Sequence, residues 1–212
     1  EDDADEPFKA RRTLQDLVKD YELEGRDRRL RIGIGSLLIG KTLADLMLRA
    51  RFGANILGIE RQHRMRHEVI AATSDQILLL GDILLVDFPG AAELESTLPE
   101  FCREMKLEIL PFKGSYFTDQ SKSIGMTEVL LPPDSQLIGK TVLEIGFRTR
   151  YSLKVVGIRR DGKSLSGDLL NEKLHLADTL LVAGTWKSIR RLQIQPKDFL
   201  VLNFPAEIDQ VA

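Results

Sequence analysis

Two short stretches carry residue types that could do phosphate chemistry. Gly35 to Thr42 reads GSLLIGKT, which satisfies the phosphate-loop spacing G-x-x-x-x-G-K-[ST]. In such a loop Gly35 and Gly40 let the backbone curl around a phosphate, Lys41 reaches the terminal phosphates and Thr42 holds Mg²⁺. Asp87-Phe88-Pro89-Gly90 follows the apolar run ILLV and resembles a DxxG switch that would reach the same metal through water. Together they spell one alternative, a P-loop GTPase-like nucleotide hydrolase.

Other chemistry-bearing residues are sparser. His63 and His67 are four apart, a metal-holding spacing on a helix, but Arg61, Arg64 and Arg66 crowd them, and a solvated hairpin is the preferred reading. Arg49 and Arg51 recur as Arg148 and Arg150, with Arg61 and Arg160 at strand ends. These six arginines are the ligand-binding candidates, an anion or nucleotide site between two units, set against the plainer reading of wet helix faces and strand termini. Cys102 lies on an apolar helix face with no histidine nearby in sequence, which favours packing over nucleophilic chemistry. No catalytic constellation, metal set or cofactor motif is assigned.

The elements that must position these residues can be read from periodicity. Residues 8–24 place Phe8, Leu14, Leu17, Val18 and Tyr21 on one helical face, with Gly25 as the stop. RRLRIGIG alternates as a strand. The stretch after Gly40 reads as one helix of about three turns, ending near Gly53. A strand NILGIER, a polar hairpin, a short VIAA and an apolar strand DILLVDF follow. A helix over 91–105 is expected to be interrupted or restarted by Pro99, and LEILPF closes the unit.

The pattern then returns. Residues 129–160 overlay on 30–61 at a constant offset of 99, and GDILLV at 81–86 pairs with ADTLLV at 177–182 after a three-residue contraction. TWKSIRRL and FLVLNF complete a second copy. The chain is an internal duplication. The second copy keeps LIGKT but has Asp134 in place of Gly35 and Ala183 in place of Asp87. A carboxylate there would repel phosphate, whereas a strand-to-helix corner tolerates it. The structural reading of GKT is therefore preferred, with Gly making the turn and Thr the cap.

Composition bounds the rest. Of 212 residues, 43% are hydrophobic and 29% charged, as in ordinary globular proteins, and the net charge of −2 argues against nucleic acid as a partner. One cysteine precludes an internal disulfide framework. No apolar run approaches membrane-spanning length, and the opening EDDADE without Met suggests a segment of a longer polypeptide.

The repeated pattern strand–S-x-L-I-G-K-T–helix–R-x-R-[FY]–strand–V-V-G-I-x-R–hairpin–G-D-x-L-L-V resembles the TrkA C-terminal domain family, also called the RCK C-terminal domain. The resemblance implies an α+β fold of two tandem small modules. Each would be a mixed or antiparallel sheet with helices on one side, and the two would pack as a pseudo-two-fold pair. The expected boundaries are an acidic tail and linker helix at 1–27, a first module at 28–112, a linker at 113–126, a second module at 127–204 and a tail at 205–212. The flanks resemble the cytosolic insert of divalent-anion/sodium symporter permeases. That implies a non-enzymatic regulatory region on the cytoplasmic face of the bacterial inner membrane, with no cofactor. Its partners would be the membrane-embedded transport domain of the same polypeptide, a second copy in a homodimer, and a small anionic or nucleotide ligand. A regulatory subunit of a potassium transporter is the other transport reading. Some members bind nucleotides, including cyclic dinucleotides, at the module interface, but neither hairpin here carries the Asn and Pro combination of that site.

Overall fold

A computed structural model describes residues 11–63, 66–89, 91–111, 123–192 and 198–210. Phe8 of the expected first helix, Arg64 of the hairpin, Gly90 of the DFPG stretch, Phe112 of the LEILPF strand and most of the expected linker lie outside them.

The first module contains β1 (Asp27–Ile32), β2 (Asn55–His63), β3 (Arg66–Ala71), β4 (Ile83–Asp87) and β5 (Leu107–Leu110). The second contains β6 (Ile124–Leu130), β7 (Lys154–Arg160), β8 (Lys163–Ser164), β9 (Thr179–Thr185) and β10 (Leu200–Asn203). Each module is one five-stranded sheet, ordered β3-β2-β4-β1-β5 and β8-β7-β9-β6-β10. Every pairing is antiparallel, so the sheets are not mixed. The strand β6 starts at Ile124, inside the stretch expected as linker.

Helices cover one face of each sheet. In the first module α2 (Leu43–Leu46), α3 (Leu48–Phe52) and α4 (Ala91–Met105) do so; in the second, α5 (Val142–Ile145), α6 (Phe147–Tyr151) and α7 (Trp186–Leu192). Two separate cores lie beneath them, one around Leu30, Leu84 and Phe101, the other around Val129, Leu180 and Ile189. A third cluster joins the modules. Leu57 and Leu85 of one sheet and their counterparts Val156 and Leu181 of the other pack with Leu14, Leu17, Val18 and Tyr21. Those last four belong to or follow α1 (Leu14–Asp20), which Thr13 and Asp16 cap reciprocally.

Two helix expectations are corrected. The helix read after Gly40 is broken in two, because Met47 takes a left-handed conformation at φ 44°. Gly146 does the same in the second copy at φ 65°. Conversely, Pro99 does not interrupt α4, which runs unbroken for 15 residues. Leu94, Leu98, Phe101 and Met105 are buried on both sides of the proline, and that packing outweighs one lost backbone bond.

Gly58 and Gly157 explain the glycine of the repeated strand. A Cβ on Gly58 would lie 2.4 Å from Ile124 Cδ1, and one on Gly157 would lie 2.4 Å from Tyr21 Cδ1. Each module therefore leaves a bare backbone for a side chain arriving from outside it. The described ends of the chain also meet. Arg11 and Asp209 form an ion pair at 2.5 Å, and the Ala206 amide donates to the Arg12 carbonyl at 3.1 Å.

Candidate functional site

The phosphate-loop residues form a corner, not a cradle. Its amides are already committed: Leu38 N–H to Ser36 Oγ, Ile39 to the Ser36 carbonyl, Gly40 to Leu78, Lys41 to Leu38 and Leu43 to Gln76. Ser36 Oγ donates to the Met105 carbonyl, as Ser135 Oγ does to Asp198 at 2.6 Å, so the repeated serine is a buried anchor. Gly35 and Gly40 have φ near +75°, the conformation that the turn requires. Thr42 caps α2 in a box with Asp45, just as Thr141 caps α5 with Glu144. Lys41 is exposed. Asp87 is the reverse, with no exposed surface. It accepts two bonds from Arg26, both at 2.9 Å, and a longer one from Asn55 at 3.5 Å. A buried carboxylate clamped by a guanidinium is a structural group, not a free metal ligand. Thr42→Ala should therefore cost about 1 kcal/mol in urea denaturation, a cap's contribution. Lys41→Ala should leave both stability and calorimetric response to Mg²⁺-nucleotide unchanged. Micromolar nucleotide binding that Lys41→Ala abolishes would restore the hydrolase reading.

The histidines sit on paired strands. His67 opposes Gln62 and His63 opposes Arg66 in the β2–β3 hairpin, so helical i, i+4 geometry does not apply. Cys102 is half-buried, and burial pushes its thiol pKa up, which weakens it as a nucleophile.

The six arginines separate into three pairs. Arg61 clamps Asp82 at 2.8 and 2.6 Å, and its counterpart Arg160 clamps Asp178 at 2.9 and 2.8 Å, each within its own module. Arg51 pairs with Glu104 at 2.6 Å and Arg150 with Asp198 at 2.9 Å, on the surface. These four are not brought together between the modules, because each has a nearer carboxylate in its own unit. Only Arg49 and Arg148 meet.

They meet at a cavity of about 760 Å³ between the modules. Its walls follow the duplication: Leu48 and Phe147, Arg49 and Arg148, and Asn55 and Lys154 are each 99 residues apart. The breaks at Met47 and Gly146 start α3 and α6 afresh, and these short helices carry the two arginines. Lys154 is the residue the sequence reading missed. It is only 6% exposed, and its ammonium donates to the Ala72 carbonyl of the other module at 3.1 Å. Burial, then Arg148 and Arg49, hold its pKa well below the usual lysine value. Burial also lowers the pKa of both arginines; Asp87 and Asp168 partly offset this for Arg49. Neither guanidinium has a hydrogen-bond or ion-pair partner among the described residues. Three cations thus converge in a largely apolar cleft, an arrangement suited to an anionic ligand.

A buried, repelled cation also costs stability. Between its lowered folded pKa and the unfolded lysine's value of about 10.4 the unfolded chain binds more protons, so Lys154 makes stability rise with pH across that window. Lys154→Met should stabilise the chain by about 1–3 kcal/mol near neutral pH and flatten that slope in urea titrations. A destabilised variant would show that the ammonium is well compensated.

The TrkA-C domain family matches residues 28–95 and 126–193. An uncharacterised transporter of Escherichia coli K12, YfbS, is 46% identical over 202 residues, covering 95% of this chain and 33% of that protein. An uncharacterised transporter of Synechocystis, sll0640, is 29% identical over 199 residues, covering 91% of this chain and 32% of its own length. The chain thus spans about a third of each. Among solved structures, the RCK_C domain dimer of Streptococcus agalactiae BusR in complex with c-di-AMP aligns at 18% identity and TM-score 0.31, over 34% of this chain and 89% of that one. One family match spans β1 to the start of α4 and the other spans β6 to α7, so one falls on each module, and the chain belongs to the TrkA-C domain family, which it carries in tandem.

Proposed function

We propose that the chain is the cytosolic regulatory region of a bacterial membrane transporter. In this reading it is non-enzymatic and takes an anionic ligand between its two modules. The observation that carries this is the convergence of Arg49, Arg148 and Lys154 on the inter-module cavity. The similarity to YfbS, named a transporter, supports the transport context. A sodium-coupled divalent-anion permease is the specific class proposed. The membrane-embedded part of the same polypeptide is its partner, a homodimer its assembly and the inner face of the membrane its place.

Mechanically, a ligand that neutralises the three cations would favour closure of the modules over the cavity. The joint cluster includes α1, and the Ala206 amide is tied to Arg12, so the two flanks move with the interface. Hydrogen exchange on the full-length polypeptide tests this, with sulfate, phosphate and succinate as probes. Protection at residues 14–23 and 199–206 should change with at least one. Unchanged protection there with all three would defeat the signalling role. The coding sequence on either side should also encode apolar membrane spans.

A further inference from the structure

The cavity is symmetric in shape but not in charge. On one half, Asp87 and Asp168 attract Arg49, and Arg26 is bonded to Asp87. Strand pairing equates Asp87 with Ala183, since Asp27 opposes the first and Met126 the second. Loop bonding equates Asp168 with Ala72, because the Ala44 amide donates to the Ser74 carbonyl as the Leu143 amide does to that of Leu170. The other half therefore lacks both acids. It also gains a cation, because Asn55 on β2 becomes Lys154 on β7. Duplication built one half that holds two acids and one that holds neither and carries an added lysine.

Resting on the ligand role proposed for the cavity, we infer that its ligand is an amphiphile with one anionic head, a carboxylate or phosphate, seated between Arg148 and Lys154. The apolar body lies along Leu43, Leu143 and Leu170, which line the same cleft. A ligand with two equal anionic ends would bring its second charge to Arg49, where Asp87 and Asp168 already supply the negative charge. A volume of about 760 Å³ leaves room for a body well beyond the head.

Lys154 adds a pH signature. Arg49 on α3 and Arg148 on α6 repel its proton, and among the described residues it donates to the neutral Ala72 carbonyl alone. An anionic head favours the ammonium over the neutral amine and raises the lysine pKa, so binding should be coupled to proton uptake and weaken as pH rises.

Isothermal titration calorimetry of the 212-residue chain tests the inference, with octanoate as a one-headed probe, suberate as a two-headed probe of equal length, and inorganic phosphate as a head alone. Octanoate should bind at least as tightly as suberate. Arg148→Gln and Lys154→Met should each weaken octanoate by about tenfold or more, while Arg49→Gln changes it less than about threefold. Runs in buffers of different ionisation enthalpy should show proton uptake that Lys154→Met abolishes. Preferred suberate binding, with equal losses in Arg49→Gln and Arg148→Gln, would overturn the single-headed ligand and leave the cavity as a binding site. No heat with any probe, or binding indifferent to all three substitutions, would overturn the cavity reading too. Should Arg148→Gln not fold, Arg148→Lys and Lys154→Met carry the comparison.

Discussion

Asp87→Ala should be among the most destabilising single changes, costing about 3–5 kcal/mol, because it strands a buried guanidinium. Arg26 is 7% exposed and donates to both Asp87 oxygens and to the Val156 carbonyl of the other module. Without Asp87, the buried positive charge loses its carboxylate, and a neutral acceptor such as that carbonyl offsets little of its lost hydration. The second module shows the apolar alternative. Gly125 stands where Arg26 would be and Ala183 where Asp87 would be, and the Trp186 ring fills the space that a Cβ on Gly125 would enter. The double replacement Arg26→Leu with Asp87→Ala should therefore recover much of the loss, giving a coupling energy above about 2 kcal/mol in a double-mutant cycle. Urea denaturation of the four proteins reads this directly. A cost below about 1 kcal/mol for Asp87→Ala would mean that water solvates Arg26 in its place. The same variant bears on the switch-like DFPG stretch, since a metal-binding aspartate would change nucleotide affinity rather than stability.

The duplication made most of the fold legible. Strand alternation, the hairpin and the Gly-Lys-Thr corner each appear twice, so chance patterns such as Gly35 and Asp87 stood out by failing to repeat. The broken helix escaped because Leu43, Leu46 and Ala50 keep a helical rhythm across Met47, a residue that seldom takes positive φ. The second copy held the clue, since Gly146 occupies the same position. Pro99 misled in the other direction, because local propensity says nothing about the core that grips α4.

The site was half legible for a related reason. All six arginines recur in both copies, so recurrence alone could not sort them. Recurrence of a partner does: Asp82 and Asp178 accompany Arg61 and Arg160 in both modules, marking an internal clamp. No acid accompanies Arg49 and Arg148 in both copies. Lys154 was invisible because what makes it unusual is contact with Ala72 and repulsion from Arg49, both from the other module. Spacing within one repeat cannot report an interface between two.

Tyr21 is where that interface meets the flank, and Tyr21→Ala should cost about 3–5 kcal/mol while releasing α1. The ring lies against the bare Gly157 backbone, its hydroxyl donates to Glu128 at 2.9 Å, and the Arg159 guanidinium sits 5.6 Å from its centroid. Glu128 is itself buried and also accepts from Arg12, which joins Asp20 of α1. A helix of seven residues has no stability of its own in water, so α1 persists through this docking. Truncating the ring removes the anchor and leaves Glu128 with Arg12 alone among the described residues. Hydrogen exchange should then show α1 amides losing protection, while β6, β7 and β9 keep theirs. Tyr21→Phe isolates the bond to the carboxylate and should cost about 1.5–3 kcal/mol. Gly157→Ala attacks from the opposite side: its methyl would meet the ring at 2.4 Å, so it should cost about 1–3 kcal/mol and loosen the same helix. If both variants lowered stability yet left α1 protected, the helix would be held by Leu14, Leu17 and Val18 alone. Movement at the module interface would then have no route through Tyr21 to the N-terminal flank.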